Sequence, residues 1–117
     1  MIGIDLVSIQ RIEAFMARFG QRGLEKFLSP EEISLISSPK TAAGFWAVKE
    51  AVSKALGCGI GADLSFHDII ISKTEKNAPL VHLSPKAKTF HRVEGIAVSI
   101  THDSGLAAAV AFINKSI

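Results

Sequence analysis

Two carboxylates sit in apolar surroundings that give a charge little solvent. Asp5 lies within Met1-Ile-Gly-Ile-Asp-Leu-Val7, and Glu50 lies within Trp46-Ala-Val-Lys-Glu-Ala-Val52. Charged groups in such places need a partner or an ion. Magnesium suits the pair, because Mg²⁺ is held by one or two carboxylates while substrate phosphates and water complete its octahedron. That arrangement serves diphosphate chemistry, in which the metal neutralises charge on the leaving group. Lys54, one helical turn beyond Glu50, is placed to meet a phosphate. Spacing alone is a weak signal here. The plainer readings are an edge-strand or capping role for Asp5, and a solvated i,i+4 pair for Glu50 and Lys54.

Other chemistries have less support. His67, His82, His91 and His102 form no i,i+4 zinc pair and no HExxH. Ser99-Ile-Thr-His102-Asp103 suggests a nucleophile with a base. Yet no Gly-x-Ser-x-Gly elbow exists, and strand alternation sets Ser99 and His102 on opposite sides. His102 reads as a phosphate or hydroxyl contact, or as a turn histidine; the other three read as structural or surface residues. Gly57-Cys-Gly-Ile-Gly61 lacks the lysine and Ser/Thr of a P-loop and follows a helix, whose C-terminus does not attract anions. If Gly57 and Gly59 touch a phosphorylated ligand, they do so through loop N–H groups and close approach. The competing reading is a helix stop.

The elements that must position these residues follow from periodicity. Thr41–Gly61 reads as a helix ending in a glycine turn, with start signals at Pro39 and Thr41. Residues about 100° apart put Ala47, Val48, Ala51, Val52, Ala55 and Leu56 on a buried face. Trp46, Lys49, Glu50, Ser53 and Lys54 fall on the other. Met1–Val7 reads as a strand with Gly3, Asp5 and Val7 on one side. Ser8 caps a helix to about Phe19, with an apolar stripe through Ile9, Ile12, Phe15, Met16 and Phe19, and Gly20 ends it. Ser29-Pro-Glu-Glu32 is a capping box with proline at the first helical position. Phe66–Ser72 and Pro79–Leu83 form a hairpin, and Ser84-Pro85 opens a short helix to about Arg92. Gly95–Thr101 and Leu106–Ile113 form a second hairpin around His102–Gly105. The last strand is apolar on both faces, so it is expected to be central and covered. The pattern predicts one α+β domain over 1–117, an antiparallel sheet packed against a long helix and shorter ones.

Composition narrows the function classes. A net charge of +2 gives no reason to expect general polyanion binding, and 48% hydrophobic residues are enough for a core. Basic residues do cluster, at Arg11, Arg18 and Arg22 and again at Lys86, Lys88 and Arg92. The lone cysteine, Cys58, excludes an internal disulfide and is expected buried or half-buried. The first residues lack a signal-peptide pattern, and no run is long enough to span a membrane. A soluble cytoplasmic protein that binds neither nucleic acid nor membrane is the expectation.

Taken together, three segments resemble the bacterial holo-[acyl-carrier-protein] synthases, the small class of 4′-phosphopantetheinyl transferases. They are Gly3-Ile-Asp5-Leu-Val7, Phe45-Trp-Ala-Val-Lys-Glu50-Ala-Val-Ser-Lys54-Ala-Leu-Gly-Cys-Gly-Ile-Gly61 and Val98-Ser-Ile-Thr-His102-Asp103. The resemblance covers the whole chain. It implies transfer of phosphopantetheine from coenzyme A to a serine of apo acyl carrier protein, with 3′,5′-ADP as the other product, in fatty acid biosynthesis. It implies Mg²⁺ held by Asp5 and Glu50, Lys54 on the coenzyme A diphosphate, Lys49 as a further phosphate contact and His102 near the nucleotide. It implies a basic first helix, with Arg11, Phe15 and Arg18, facing the acidic helix of the carrier. A homotrimer with sites between subunits is also implied. The serine proton goes to Glu50 or to a metal-bound water. Phe45 stands where the family pattern carries arginine, and an exposed Phe45 would offer the carrier an apolar contact. The competing classes are a carrier-binding module without chemistry, which has no need of Asp5, Glu50 and Lys54 together, and a regulator that binds coenzyme A without transfer.

Overall fold

A single long helix is the axis on which the other elements are placed. The computed structural model describes residues 1–117. In chain order the elements are β1 (Ile2–Ser8), α1 (Ile9–Glu25), α2 (Pro30–Ile33), α3 (Pro39–Ala55), a 3₁₀ turn (Phe66–Asp68), β2 (Ile69–Lys73), β3 (Pro79–Leu83), α4 (Pro85–His91), β4 (Val93–Asp103) and β5 (Leu106–Lys115). The α+β class is as predicted, with two antiparallel sheets ordered β1-β5-β4 and β2-β3.

Serines and prolines set the helix starts. The side chains of Ser8, Ser29, Ser38 and Ser84 each accept a first-turn N–H. Proline follows the last three of these at the first helical position, where its missing N–H costs nothing. With Ser38 as its cap, α3 starts at Pro39, two residues before the expected Thr41. α1 breaks its helical geometry at Gly20 (φ 57°), where the sequence marks a stop, and then resumes.

The three-stranded sheet carries two unlike faces. Its inner rows are Gly3–Ala111–Val98, Asp5–Ala109–Ile100 and Val7–Ala107–His102. Small residues predominate there, and α3 lies on them. The outer rows are Ile2–Phe112–Ala97, Ile4–Val110–Ser99 and Leu6–Ala108–Thr101. Ile2, Ile4 and Leu6 are each more than 60% exposed, at 69%, 67% and 63%. β5 is central, as expected, but only its inner face is covered, because no element of this chain crosses the outer side. β4 runs through His102 to Asp103, and the hairpin turns on Ser104 and Gly105 alone, both at positive φ as a type I′ turn requires.

α3 is enclosed on more than the one face predicted. α1 and β2 pack against it besides the sheet. Lys49 and Ser53, expected on its solvated side, are fully buried, and so is Phe45. Strand β2 starts later than predicted because Ser65 and Asp68 wind residues 66–68 into a 3₁₀ turn. Cys58 is exposed rather than buried, since it sits in the turn after α3.

Candidate active site

β1 crosses α3 at close range, and Gly3 makes this possible. A Cβ at Gly3 would collide with the main-chain carbonyl of Ala51 and stand 2.5 Å from the nitrogen of Ala55. Those two residues directly follow Glu50 and Lys54. Asp5, two places on from Gly3 and on the same strand face, therefore meets the same stretch of helix. Its Oδ1 accepts a hydrogen bond from the Lys54 Nζ at 2.9 Å. Asp5 and Glu50 together line a cleft of about 280 Å³, whose walls include Val7, Arg11, Phe15 and Trp46. Trp46 is held edge-on against Phe27, with ring centroids 5.0 Å apart, and lies 4.9 Å from Phe66. That aromatic packing keeps the floor of the cleft rigid.

The electrostatics follow from this placement. Partial burial raises the Glu50 pKa above the ordinary carboxylate value, and the neighbouring Asp5 raises it further, against an opposing pull from Lys54. Lys54 is raised above the usual lysine value, mainly by its hydrogen bond to Asp5. Two carboxylates thus share one cleft, and one of them is paired with the Lys54 ammonium. No group of three or more acidic, histidine or cysteine side chains is present, so the donor set is two carboxylates. Such a set fits a hard divalent cation that keeps positions for phosphate and water, and does not fit a closed zinc site.

Other predicted residues fall elsewhere. Lys49 is the clearest correction. Its Nζ donates to Glu32 Oε1 at 2.8 Å and to the Phe66 carbonyl at 3.0 Å, with no exposed surface, so it cannot reach a coenzyme phosphate. Phe45 is 1% exposed and offers a carrier nothing. The N–H groups of Gly57 and Gly59 are bonded to the carbonyls of Lys54 and Ser53, which leaves neither free to cradle a phosphate. With φ of 78° and 67°, both serve as the helix stop. Arg11 and Arg18 are exposed on α1, Arg11 at the cleft and Arg18 over the Phe19 ring at 5.1 Å. Phe15 lies between them as a half-buried cleft wall.

His102 is not in the acidic cleft. It belongs to a second one of about 340 Å³, lined also by Lys40, Thr41, Gly44, Lys73 and Asn77. Its Nε2 is 3.2 Å from the Lys40 carbonyl. A third hollow, near Asp63, Asp68, Lys86 and Phe90, shares no residue with either.

Sequence reasoning missed Glu32 and Gly3. Glu32 was legible as the last residue of the capping box, but its Oε1 also takes Lys49 and its Oε2 takes the Ile71 N–H at 2.7 Å. Gly3 was legible only as part of the Gly-x-Asp motif. A glycine inside a strand signals a close backbone approach.

Comparison with known proteins shows the family. The model of the 4′-phosphopantetheinyl transferase superfamily matches residues 1–111. The chain is 62% identical over 115 residues to the holo-[acyl-carrier-protein] synthase of Wolinella succinogenes, covering 98% of each. It also resembles the crystal structure of the Helicobacter pylori holo-[acyl-carrier-protein] synthase in complex with coenzyme A. That match has a TM-score of 0.95 and 51% identity, and covers 97% of this chain and 100% of that one. A synthase from Bacillus anthracis in complex with CoA (3′,5′-ADP) matches at 30% identity and TM-score 0.82, covering 98% and 96%.

Proposed function

The chain belongs to the 4′-phosphopantetheinyl transferase superfamily, among the holo-[acyl-carrier-protein] synthases, and on that premise we propose a Mg²⁺-dependent transfer of phosphopantetheine from coenzyme A to a carrier-protein serine, releasing 3′,5′-ADP. The observation that carries this reading is the convergence of Asp5 and Glu50 on one cleft with Lys54 beside them. Asp5 and Glu50 would hold the cation. When bound, Mg²⁺ supplies charge neutralisation at the diphosphate.

The rest of the work falls to side chains of this chain. Lys54 is about half exposed and turns its ammonium from Asp5 towards the diphosphate, where it stabilises charge on the departing 3′,5′-ADP. Phe15, Trp46 and Arg11 form the wall against which the incoming serine is held. The serine proton passes to Glu50 or to a water held in the cleft. The attacking oxygen then bonds to the β-phosphorus as the bond to 3′,5′-ADP breaks. Arg11 and Arg18 face outward on α1, as a docking ridge for an acidic carrier helix requires. The reaction serves fatty acid biosynthesis in the cytoplasm.

A homotrimer completes the site. The exposed row of Ile2, Ile4 and Leu6 beside Phe112 needs cover, and copies of this chain are the occupants we assign to it. His102 stands two strands from β1, roughly 10 Å across the sheet. The test of function is mass spectrometry of apo carrier protein incubated with the enzyme, coenzyme A and Mg²⁺. The expected result is a phosphopantetheine mass gain that chelation abolishes. No gain with wild-type enzyme would contradict the reading, and a fully active Asp5→Asn variant would remove the metal site from it.

A further inference from the structure

α3 rests on the sheet through a smooth surface. Its buried Ala47, Ala51 and Ala55 are matched on the inner face of β5 by Ala107, Ala109 and Ala111. Against β5 this contact is apolar throughout and holds no polar side chain of α3. The Glu50 carboxylate has no tether of its own, because it takes part in neither of the two ion pairs and accepts no hydrogen bond. Its place in the cleft is set by the helix that carries it.

The adjacent residue is tied firmly. Glu32 Oε1 takes the Ser29 N–H and the Lys49 Nζ, each at 2.8 Å, and Oε2 takes the Ile71 N–H at 2.7 Å. The same Lys49 Nζ donates to the Phe66 carbonyl. One knot thus joins the start of α2, the 3₁₀ turn and β2 to α3, at the position before Glu50. Lys49 and Glu50 lie about 100° apart around the helix, so any rotation that moves one moves the other. We infer that the buried Lys49–Glu32 pair is the positioning device of the metal site, locking the rotation of α3 and so setting the Glu50 carboxylate opposite Asp5. This rests on the reading of Asp5 and Glu50 as cation ligands, and assigns Lys49 and Glu32 no contact with substrate.

The experiment measures binding of Mn²⁺, standing in for Mg²⁺, by electron paramagnetic resonance in the presence of coenzyme A and without carrier protein. Melting temperatures are recorded on the same samples. The principal variant is the double Glu32→Gln, Lys49→Met, which removes both charges and keeps the side-chain lengths. It should stay folded but melt lower, because a glutamine amide in place of the Glu32 carboxylate can accept only one of the Ser29 and Ile71 N–H groups. It should bind Mn²⁺ about tenfold more weakly, the size seen when outer supports of a metal site are removed. A folded double variant that binds Mn²⁺ like the wild type overturns the inference. If the double variant does not fold, Glu32→Asp, which keeps both charges and shortens the reach to Lys49, is titrated instead: weaker binding supports the inference, and wild-type binding overturns it. Glu50→Gln is the control. Unchanged Mn²⁺ binding in that variant removes the cation reading and this inference with it. Weakened binding there, beside wild-type binding in a folded double variant, sinks the inference alone.

Discussion

Two lysines on α3, five residues apart, each meet a carboxylate at nearly the same distance, and they do opposite things. Lys49 and Glu32 are 2.8 Å apart with almost no exposed surface, and main-chain groups of three other segments hydrogen-bond to the pair. Lys54 and Asp5 are 2.9 Å apart, but the Lys54 side chain is 52% exposed and its remaining donors face solvent. A closed pair of the first kind is costly to break and has nothing to offer a ligand. An open pair of the second kind contributes little to stability and can exchange partners when a diphosphate and a cation arrive. Distance alone does not separate them; burial and the additional main-chain hydrogen bonds do.

The contrast is broken most severely at the closed pair. Lys49→Met leaves the Glu32 charge buried without its counter-ion and should destabilise the protein by about 3–5 kcal/mol, read by urea denaturation. An unchanged midpoint would show that the pair is not closed. At the open site the order of effects inverts. Glu50→Gln should lower kcat/KM for carrier protein by about 10²–10³, the loss typical of an electrostatic group at a reacting centre. Its melting temperature should hold or rise, because burial and Asp5 disfavour the ionised Glu50 in the folded state. A variant that is both inactive and unfolded would contradict this.

Gly3→Ala tests the crossing that brings the open pair together. The added methyl meets main-chain atoms of Ala51 and Ala55, which cannot swing aside. A cost of about 1–3 kcal/mol is expected, with transfer activity falling by more than stability explains at a temperature where the variant is folded. The smallest effect belongs to Asp68, whose carboxylate is held below the usual range chiefly by the Ser65 N–H and also by the Ser84 hydroxyl. The unfolded chain takes up that proton first as pH falls. The stabilisation is therefore complete above the ordinary carboxylate pKa and lost as pH drops through the lower folded value. Asp68→Asn should flatten the acid limb of the stability curve by less than about 1 kcal/mol, after solvent screening.

Local chemistry made much of the fold readable in advance. Ser29-Pro-x-Glu32, Ser84-Pro85 and the bounds of Pro79–Leu83 need only neighbouring residues to act, and they act as expected. Asp5 and Glu50 stand out in the sequence as charges at odds with their surroundings, and the structure brings them to one cleft. What was not legible depends on which elements come to lie around α3. Periodicity finds one buried face, whereas this helix is enclosed by the sheet, α1 and β2. Lys49, on the presumed polar side, therefore became a core residue, and Phe45 an inward one. No sequence pattern shows that a capping glutamate will have a lysine from another helix waiting for it. The uncovered outer side of β5 was hidden for the same reason, since an apolar strand face looks alike whether its cover is a helix or another subunit.

The central claim, that Asp5 and Glu50 share one divalent ion, is tested most directly by anomalous diffraction from crystals grown with coenzyme A and Mn²⁺. The account predicts a manganese peak in the cleft between β1 and α3, within bonding distance of both carboxylates, with Lys54 turned from Asp5 to the diphosphate. A peak bound to neither carboxylate, or an ordered coenzyme with no metal between those two side chains, would contradict it.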